Sequence, residues 1–361
     1  MPDIIAPPKT LVVDFALEPA LNVLNSLHIL NHTDEFSGLD KWLYQTAAAL
    51  SPEQRHTNLL VFDAFDAGVW PSAGVWSTVT EWLDDLDTQD PNALRDRYLD
   101  ELTQHAAEML DEEVPTPQQL LADGDVYLAL IESIYCCKDK EEHYDQELYK
   151  EVHALLNDPP SLREMVVTHV RAMWQDVLAP EWERNLPLLQ ESVSAFQMLD
   201  FTGMSCAEIV RRVTARDLVN ECEKWRAGAD RIVFIPSAHI GPYVSIMDAD
   251  ETIYLVFGAR VPEGVAASSP TLSRSELLMR LNALADDTRL SILELLAGNE
   301  SLSSQEIMQA LNLSQSAASR HLLQLAATGY LATERREGSK FYQLNRDRIG
   351  DTFGALERLL G

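Results

Sequence analysis

Cysteine is scarce in this chain of 361 residues. There are 4, two of them adjacent at Cys136 and Cys137, which is no basis for a disulfide framework at this length. Long apolar runs are also missing. Stretches without Asp, Glu, Lys or Arg, such as 67–80 and 232–247, fall short of the roughly 20 apolar residues of a membrane helix, and proline interrupts them. Met1-Pro2-Asp3 does not open on the basic and then apolar segments of a secretory leader. The expectation is a reduced, soluble, cytoplasmic protein that makes no use of a membrane. Gly-x-Gly-x-x-Gly, phosphate-loop, Gly-x-Ser-x-Gly and His-Glu-x-x-His patterns are all absent, and no nucleophile–base pairing presents itself. The reading is therefore a protein that is not an enzyme and needs no cofactor.

Bases are the other shortage. Lys and Arg number 28 against 57 Asp and Glu, a net charge of −29. Taken whole, that opposes nucleic acid, whose binding rests on neutralising phosphates. The acidity is uneven, however. Residues 1–270 hold 18 Lys/Arg and 46 Asp/Glu, whereas residues 271–361 hold 10 and 11. A near-neutral C-terminal part can still carry a basic face.

With 46% hydrophobic and 24% charged residues, the chain is ordinary globular protein, and its length calls for at least two domains. The pattern predicts a mainly α fold with a small β-sheet (α+β). Residues 10–17 read as a short strand. From about residue 19 to 225 apolar residues recur three and four apart, as in Val166, Val170, Met173, Trp174 and Val177. Breaks fall at Pro71, Asp90-Pro91, Pro115-Thr116-Pro117, Asp158-Pro159-Pro160 and Pro180, and Ser51-Pro52 marks a helix start. Residues 231–236, 243–247 and 252–258 read as strands of a sheet in which residues 10–17 form a fourth. The small, proline-bearing segment 262–270 reads as a linker. The expected domains are 1–265, an acidic helical sensor or assembly domain, and 271–361.

The C-terminal part carries the clearest pattern. Residues 275–284 and 288–297 read as helices, the second stopped by Gly298. Ser303-Ser-Gln-Glu306 is a capping box opening a short helix to Leu311. Asn312-Leu313 turns, and Ser314 caps a longer helix through Ala327, with Gly329 as its stop. Two such helices joined by a tight turn form a helix-turn-helix. Residues 330–336 and 340–344 flank Glu337-Gly338-Ser339 as a basic hairpin, a wing. Residues 314–348 hold six bases against three acids, while 271–313 hold three against six. Positive charge thus collects on the second helix and the hairpin. Polar residues crowd that helix's solvent face, and they are types that hydrogen-bond base edges and phosphates.

Several blocks here resemble the winged-helix domain of the ArsR family of bacterial repressors. They are Ala283-Leu-Ala-Asp286 with Thr288-Arg289-Leu290, then Leu313-Ser-Gln-Ser-Ala-Ala-Ser-Arg-His-Leu322, Gly329-Tyr-Leu331 and Arg335-Arg336-Glu-Gly338. The likeness covers the last quarter of the chain. Residues 174–196 and 233–237 are similar to long members with a large N-terminal region, which names no ligand. The resemblance implies double-stranded operator DNA as partner, contacted by Ser314, Gln315, Ser316, Ser319, Arg320 and His321 of the recognition helix and by Arg335, Arg336, Lys340 and Tyr342 of the wing. It also implies a homodimer through the terminal helices, for which the apolar candidates are Leu277, Leu281, Ile349, Phe353, Leu356 and Leu360. Residues 271–361 contain no cysteine, so the thiolate metal sensing common in the family is not expected, and no metal site is assigned.

The N-terminal region offers little chemistry. His28 and His32 sit four apart, with Asp34 and Glu35 beyond, but polar-face histidines near a helix end account for them. Cys136 and Cys137 point about 100° apart on a helix, which suits core and boundary positions better than one metal. Acid clusters at 84–87, 111–113 and 141–142 read as solvated faces, and the tryptophans as core. The expectation is a transcription repressor whose N-terminal domain senses an unidentified small molecule; the alternative is a protein-interaction or oligomerisation module. The acidic region is expected to lie away from the recognition helices and to lower non-specific DNA affinity through its field.

Overall fold

The computed structural model describes residues 11–36, 38–65, 76–110, 113–137, 145–214, 216, 218–225, 229–249, 251–262, 274–299, 301–336 and 339–360. Pro71, Trp70, the linker after Pro262, the acids at 111–112 and 141–142, and the Cys136 and Cys137 side chains lie outside the described set. Contacts divide the chain into two compact units that do not follow a single cut in the linker. One is Met1–Leu17, His32–Tyr44 and Glu183–Gly361; the other is Glu18–Asn31 and Gln45–Trp182. The fold is mainly α with small sheets.

The second unit is helical. Its first helix α1 (Pro19–Asn31) is buried at Ala20–Leu27, Ile29 and Leu30, so that Asn22, Asn25 and Ser26 are enclosed along with Leu21, Val23, Leu24, Leu27 and Leu30. Two of its buried polar side chains bond within the helix: Ser26 Oγ donates to Asn22 O at 2.7 Å and Asn22 Nδ2 to Glu18 O at 3.3 Å. Helix α2 (Lys41–Ala49) is followed by α3 (Pro52–Leu59), opened by a Ser51–Gln54 capping box with proline just inside. From α3 the chain runs on as a π-helical turn, Leu60–Ala64. Then come α4 (Val79–Thr88), α5 (Pro91–Met109), α6 (Pro117–Ala122), α7 (Gly124–Cys137), α8 (Gln146–Leu156) and α9 (Pro159–Met173), which continues as a second π-helical turn, Trp174–Leu178. Asp90, Thr116, Asp145 and Asp158 cap four of these helices, three of them with proline just inside. Fully buried Asn58 donates to Leu27 O and Asn31 Oδ1, both at 2.7 Å, and faces His169 Nε2 at 3.1 Å.

Helix α10 (Ala179–Gln197) carries the chain into the other unit, with Pro180 in its first turn and Pro187 inside it. There α11 (Cys206–Thr214) and α12 (Val219–Trp225) pack on a mixed sheet. Its strands are β1 (Val12–Phe15), β2 (Arg231–Ser237), β3 (Val244–Ala249) and β4 (Thr252–Gly258), in the order β1-β2-β4-β3. β1 and β4 flank β2 in parallel, and β3 closes the edge antiparallel to β4. β2 is buried from Ile232 to Ser237, as befits a central parallel strand. The core is aromatic: Phe15 stacks on Phe196 and on Phe234 at 5.3 Å, and Phe257 meets Phe196 edge-on at 5.5 Å. Gly258 is demanded by packing, since a Cβ there would lie 2.4 Å from Gly241 O.

The same unit contains α13 (Arg274–Leu284), α14 (Asp287–Ala297), β5 (Leu302–Ser303), α15 (Ser304–Leu311), α16 (Gln315–Ala327), β6 (Leu331–Arg336), β7 (Ser339–Leu344) and α17 (Arg346–Leu360). Their sheet runs β5-β7-β6. The core gathers Ala283, Ile292, Leu296, Ile307, Leu322, Leu325 and Tyr330. Among the described residues no helix is long and apolar enough to cross a membrane.

Candidate nucleic-acid interface

The geometry here begins with the turn. The Ser303–Glu306 capping box opens α15. At its other end Asn312 takes the left-handed conformation (φ 52°), a state in which asparagine's short side chain costs little. That reversal lets Ser314 cap α16, its Oγ accepting from Ala317 N–H at 3.2 Å. The α16 phase then follows from its apolar residues: Ala318, Leu322 and Leu325 face the core. Ser314, Gln315, Ser316, Ser319 and Arg320 are exposed. Positions 315, 316, 319, 320 and 323 share one helical face. Hydroxyl, amide and guanidinium donors are thus set on a rigid element, as reading base edges and phosphates requires.

His321 departs from the sequence expectation. It is 8% exposed, with Nδ1 3.7 Å from Asp286 Oδ1, because residue 321 follows Ala318 by three and precedes Leu325 by four on the inward face. Burial, with the nearby Arg289 and Arg320 guanidinium groups, lowers its pKa against the pull of Asp286. Asp286 is the N-cap of α14, accepting from Arg289 N–H at 2.9 Å. Burial works to raise its pKa, but that bond and the Arg289 charge hold it below the usual carboxylate value. Arg289 in turn donates to Ala283 O at 2.6 Å and Asn282 O at 2.9 Å. The cluster fastens α13, α14 and α16 together, and no feature of the sequence marked it as a unit.

Tyr342 is likewise a core residue, packed in the winged-helix interior with Lys340 Nζ 5.4 Å from its ring. It sits opposite Leu302 of β5 and Thr333 of β6, so the wing anchors through it and does not present it. Lys340 is exposed and lies opposite Arg335 in the ladder, next to the Arg336–Ser339 pair at the tip. The Arg335 and Arg336 side chains fall outside the described set.

The apolar dimer candidates divide. Leu277 is 3% exposed and faces inward with Arg280 and Ala283, three residues apart, so the outward position is its neighbour Leu278. Ile349 packs against the core, and Leu281 and Leu356 are half-buried. Leu278, Phe353, Leu359 and Leu360 are exposed, on two helices that pack against each other. No three metal-ligating side chains gather within the winged helix among the described residues. In the helical unit His28 Nδ1 lies 3.0 Å from Phe62 O, and in the other His32 meets Glu35 at 2.9 Å.

Comparison with known proteins bears on the same segment. The model of the bacterial regulatory protein, arsR family, matches residues 286–333, from the cap of α14 into the first wing strand. The transcriptional activator HlyU of Vibrio cholerae serotype O1 is 36% identical over 85 residues, 24% of this chain and 78% of that protein. The chain belongs to the ArsR family. It is a DNA-binding transcription regulator whose ArsR-type helix-turn-helix comprises α15 and α16. The ArsR domain explains why Ser314, Gln315, Ser316, Ser319 and Arg320 are presented outward while the turn that aims them is fixed by caps.

Proposed function

We propose that this regulator is a cytoplasmic homodimeric repressor that occupies a symmetric operator and is released by a small molecule sensed outside its winged helix. The observation that carries the reading is the exposed polar face of α16, with Arg320 at its centre and Lys340 exposed on the wing. One winged helix reads few base pairs, so two copies and a twofold operator are needed for selectivity. The exposed Leu278, Phe353, Leu359 and Leu360 supply an apolar surface for the second copy. The remainder of the chain, which holds nearly all the acidic excess, acts as sensor and not as catalyst. HlyU is described as an activator, which makes activation the second reading.

The experiment is enrichment of genomic fragments on the full-length protein, followed by a reporter fused to the enriched promoter. Repression predicts a palindromic site and higher reporter output when the gene is deleted. Lower output on deletion supports the activator reading. No enriched site at all contradicts both.

A further inference from the structure

The outward face of α16 carries a side chain that cannot hydrogen-bond. Leu323 is 36% exposed. It follows Ser319 by four residues and Arg320 by three, so it stands beside both, one turn further along the helix. The inward side of α16 is supplied by Ala318, Leu322 and Leu325, each at most 1% exposed. On another flank Gln324 is 2% exposed, and a Cβ on Gly38 would lie 3.2 Å from its Nε2. Packing therefore fixes the helix on two sides and holds Leu323 outward, among Ser316, Ser319 and Arg320.

A second copy of the chain is a poor occupant for this leucine. The exposed Leu278, Phe353, Leu359 and Leu360 lie on α13 and α17. A protomer seated on Leu323 would also cover Ser316, Ser319 and Arg320, which are exposed and carry the groups that contact bases and phosphates. The duplex is the occupant that fits. In the major groove, thymine's C5-methyl is the apolar group that base edges present. The amino and carbonyl groups of the other edges, stripped of water by a leucine, gain no bond in return. One side chain thus favours thymine and penalises its competitors.

We propose that Leu323 is a specificity-determining residue that packs on the C5-methyl of a thymine in the major groove of the binding site. This rests on α16 being the base-contacting helix, and it adds which base one position of the site must carry. Leu323 supplies no charge, so it contributes little to binding of random sequence, which is held through phosphates.

The test begins with duplexes selected from a random pool by the full-length protein. Thymines of a selected duplex are then replaced one at a time by deoxyuridine, which removes the C5-methyl and keeps every hydrogen-bonding edge. Fluorescence anisotropy gives affinities for the wild type, Leu323→Ala and Leu323→Met. Circular dichroism checks both folds, and the wild-type scan needs neither variant. The wild type is expected to lose about fourfold at one or more thymines, the worth of one buried methyl. Leu323→Ala should bind the unmodified duplex more weakly and be indifferent, within about twofold, to the same replacement. Leu323→Met, which keeps an apolar reach, should retain the penalty. Affinity for a scrambled duplex should be alike in all three. A wild type that tolerates deoxyuridine at every position overturns the assignment, and so does a penalty that persists in Leu323→Ala. Equal losses by Leu323→Ala on selected and scrambled duplexes also overturn it, because the leucine would then act through the packing of α16. A pool from which nothing is selected overturns this assignment together with DNA reading by α16; deoxyuridine-tolerant binding to a selected duplex overturns this assignment alone.

Discussion

His169 is 8% exposed and neutral at physiological pH, its pKa lowered from 6.5 to about 4 by burial. Between those values the unfolded chain binds a proton that the folded chain refuses. Its contribution to stability is therefore complete above pH 6.5 and is lost as pH falls toward 4, at most about 3 kcal/mol. Urea midpoints measured from pH 7 to pH 5 should fall more steeply for the wild type than for His169→Gln; parallel curves would remove His169 as the cause. Gly258 sets a steric prediction. Its replacement by alanine drives a Cβ onto Gly241 O, and backbone must move to relieve it. The expected cost is about 2 kcal/mol or more, read as a lower denaturation midpoint, and an unchanged midpoint would mean the strands separate there without penalty.

At the scale of elements, α17 makes the dimer testable. Its inward face holds Thr352 and Ala355, and Phe353 and Leu360 point outward. Phe353→Glu should give a mass near 40.5 kDa in light scattering where the wild type gives twice that, with monomer stability altered by about 0.5 kcal/mol at most. A large stability loss with no change of mass would mean that Phe353 packs within its own chain. Caps and periodicity made most elements legible in the sequence. Ser51, Ser303 and Ser314 each start a helix where the capping pattern placed one, and residues 12–15 do join the sheet through β2. Three features carried no local signal. β5 is two residues long and exists only because β7 pairs with it. The π-helical turns after α3 and α9 continue helices without any break in pattern. The inward rotation of Leu277, His321 and Tyr342 depends on which neighbour covers each face, which periodicity alone leaves open.

For the whole molecule the governing number is the charge of −29. Non-specific affinity for duplex comes from neutralised phosphates and falls with salt at a slope of roughly −0.9 per phosphate contacted. Few bases are available on the DNA-reading face, so random-sequence binding should be weak and specific contacts should decide occupancy. The most direct measurement is fluorescence anisotropy of the full-length protein on its enriched duplex and on a scrambled one, beside the Arg320→Ala/Arg336→Ala double variant at the same salt. The variant is expected to lose about 2–4 kcal/mol on the enriched duplex, with a smaller loss on the scrambled one. Full affinity of the double variant for the enriched duplex would contradict DNA recognition by α16 and the wing.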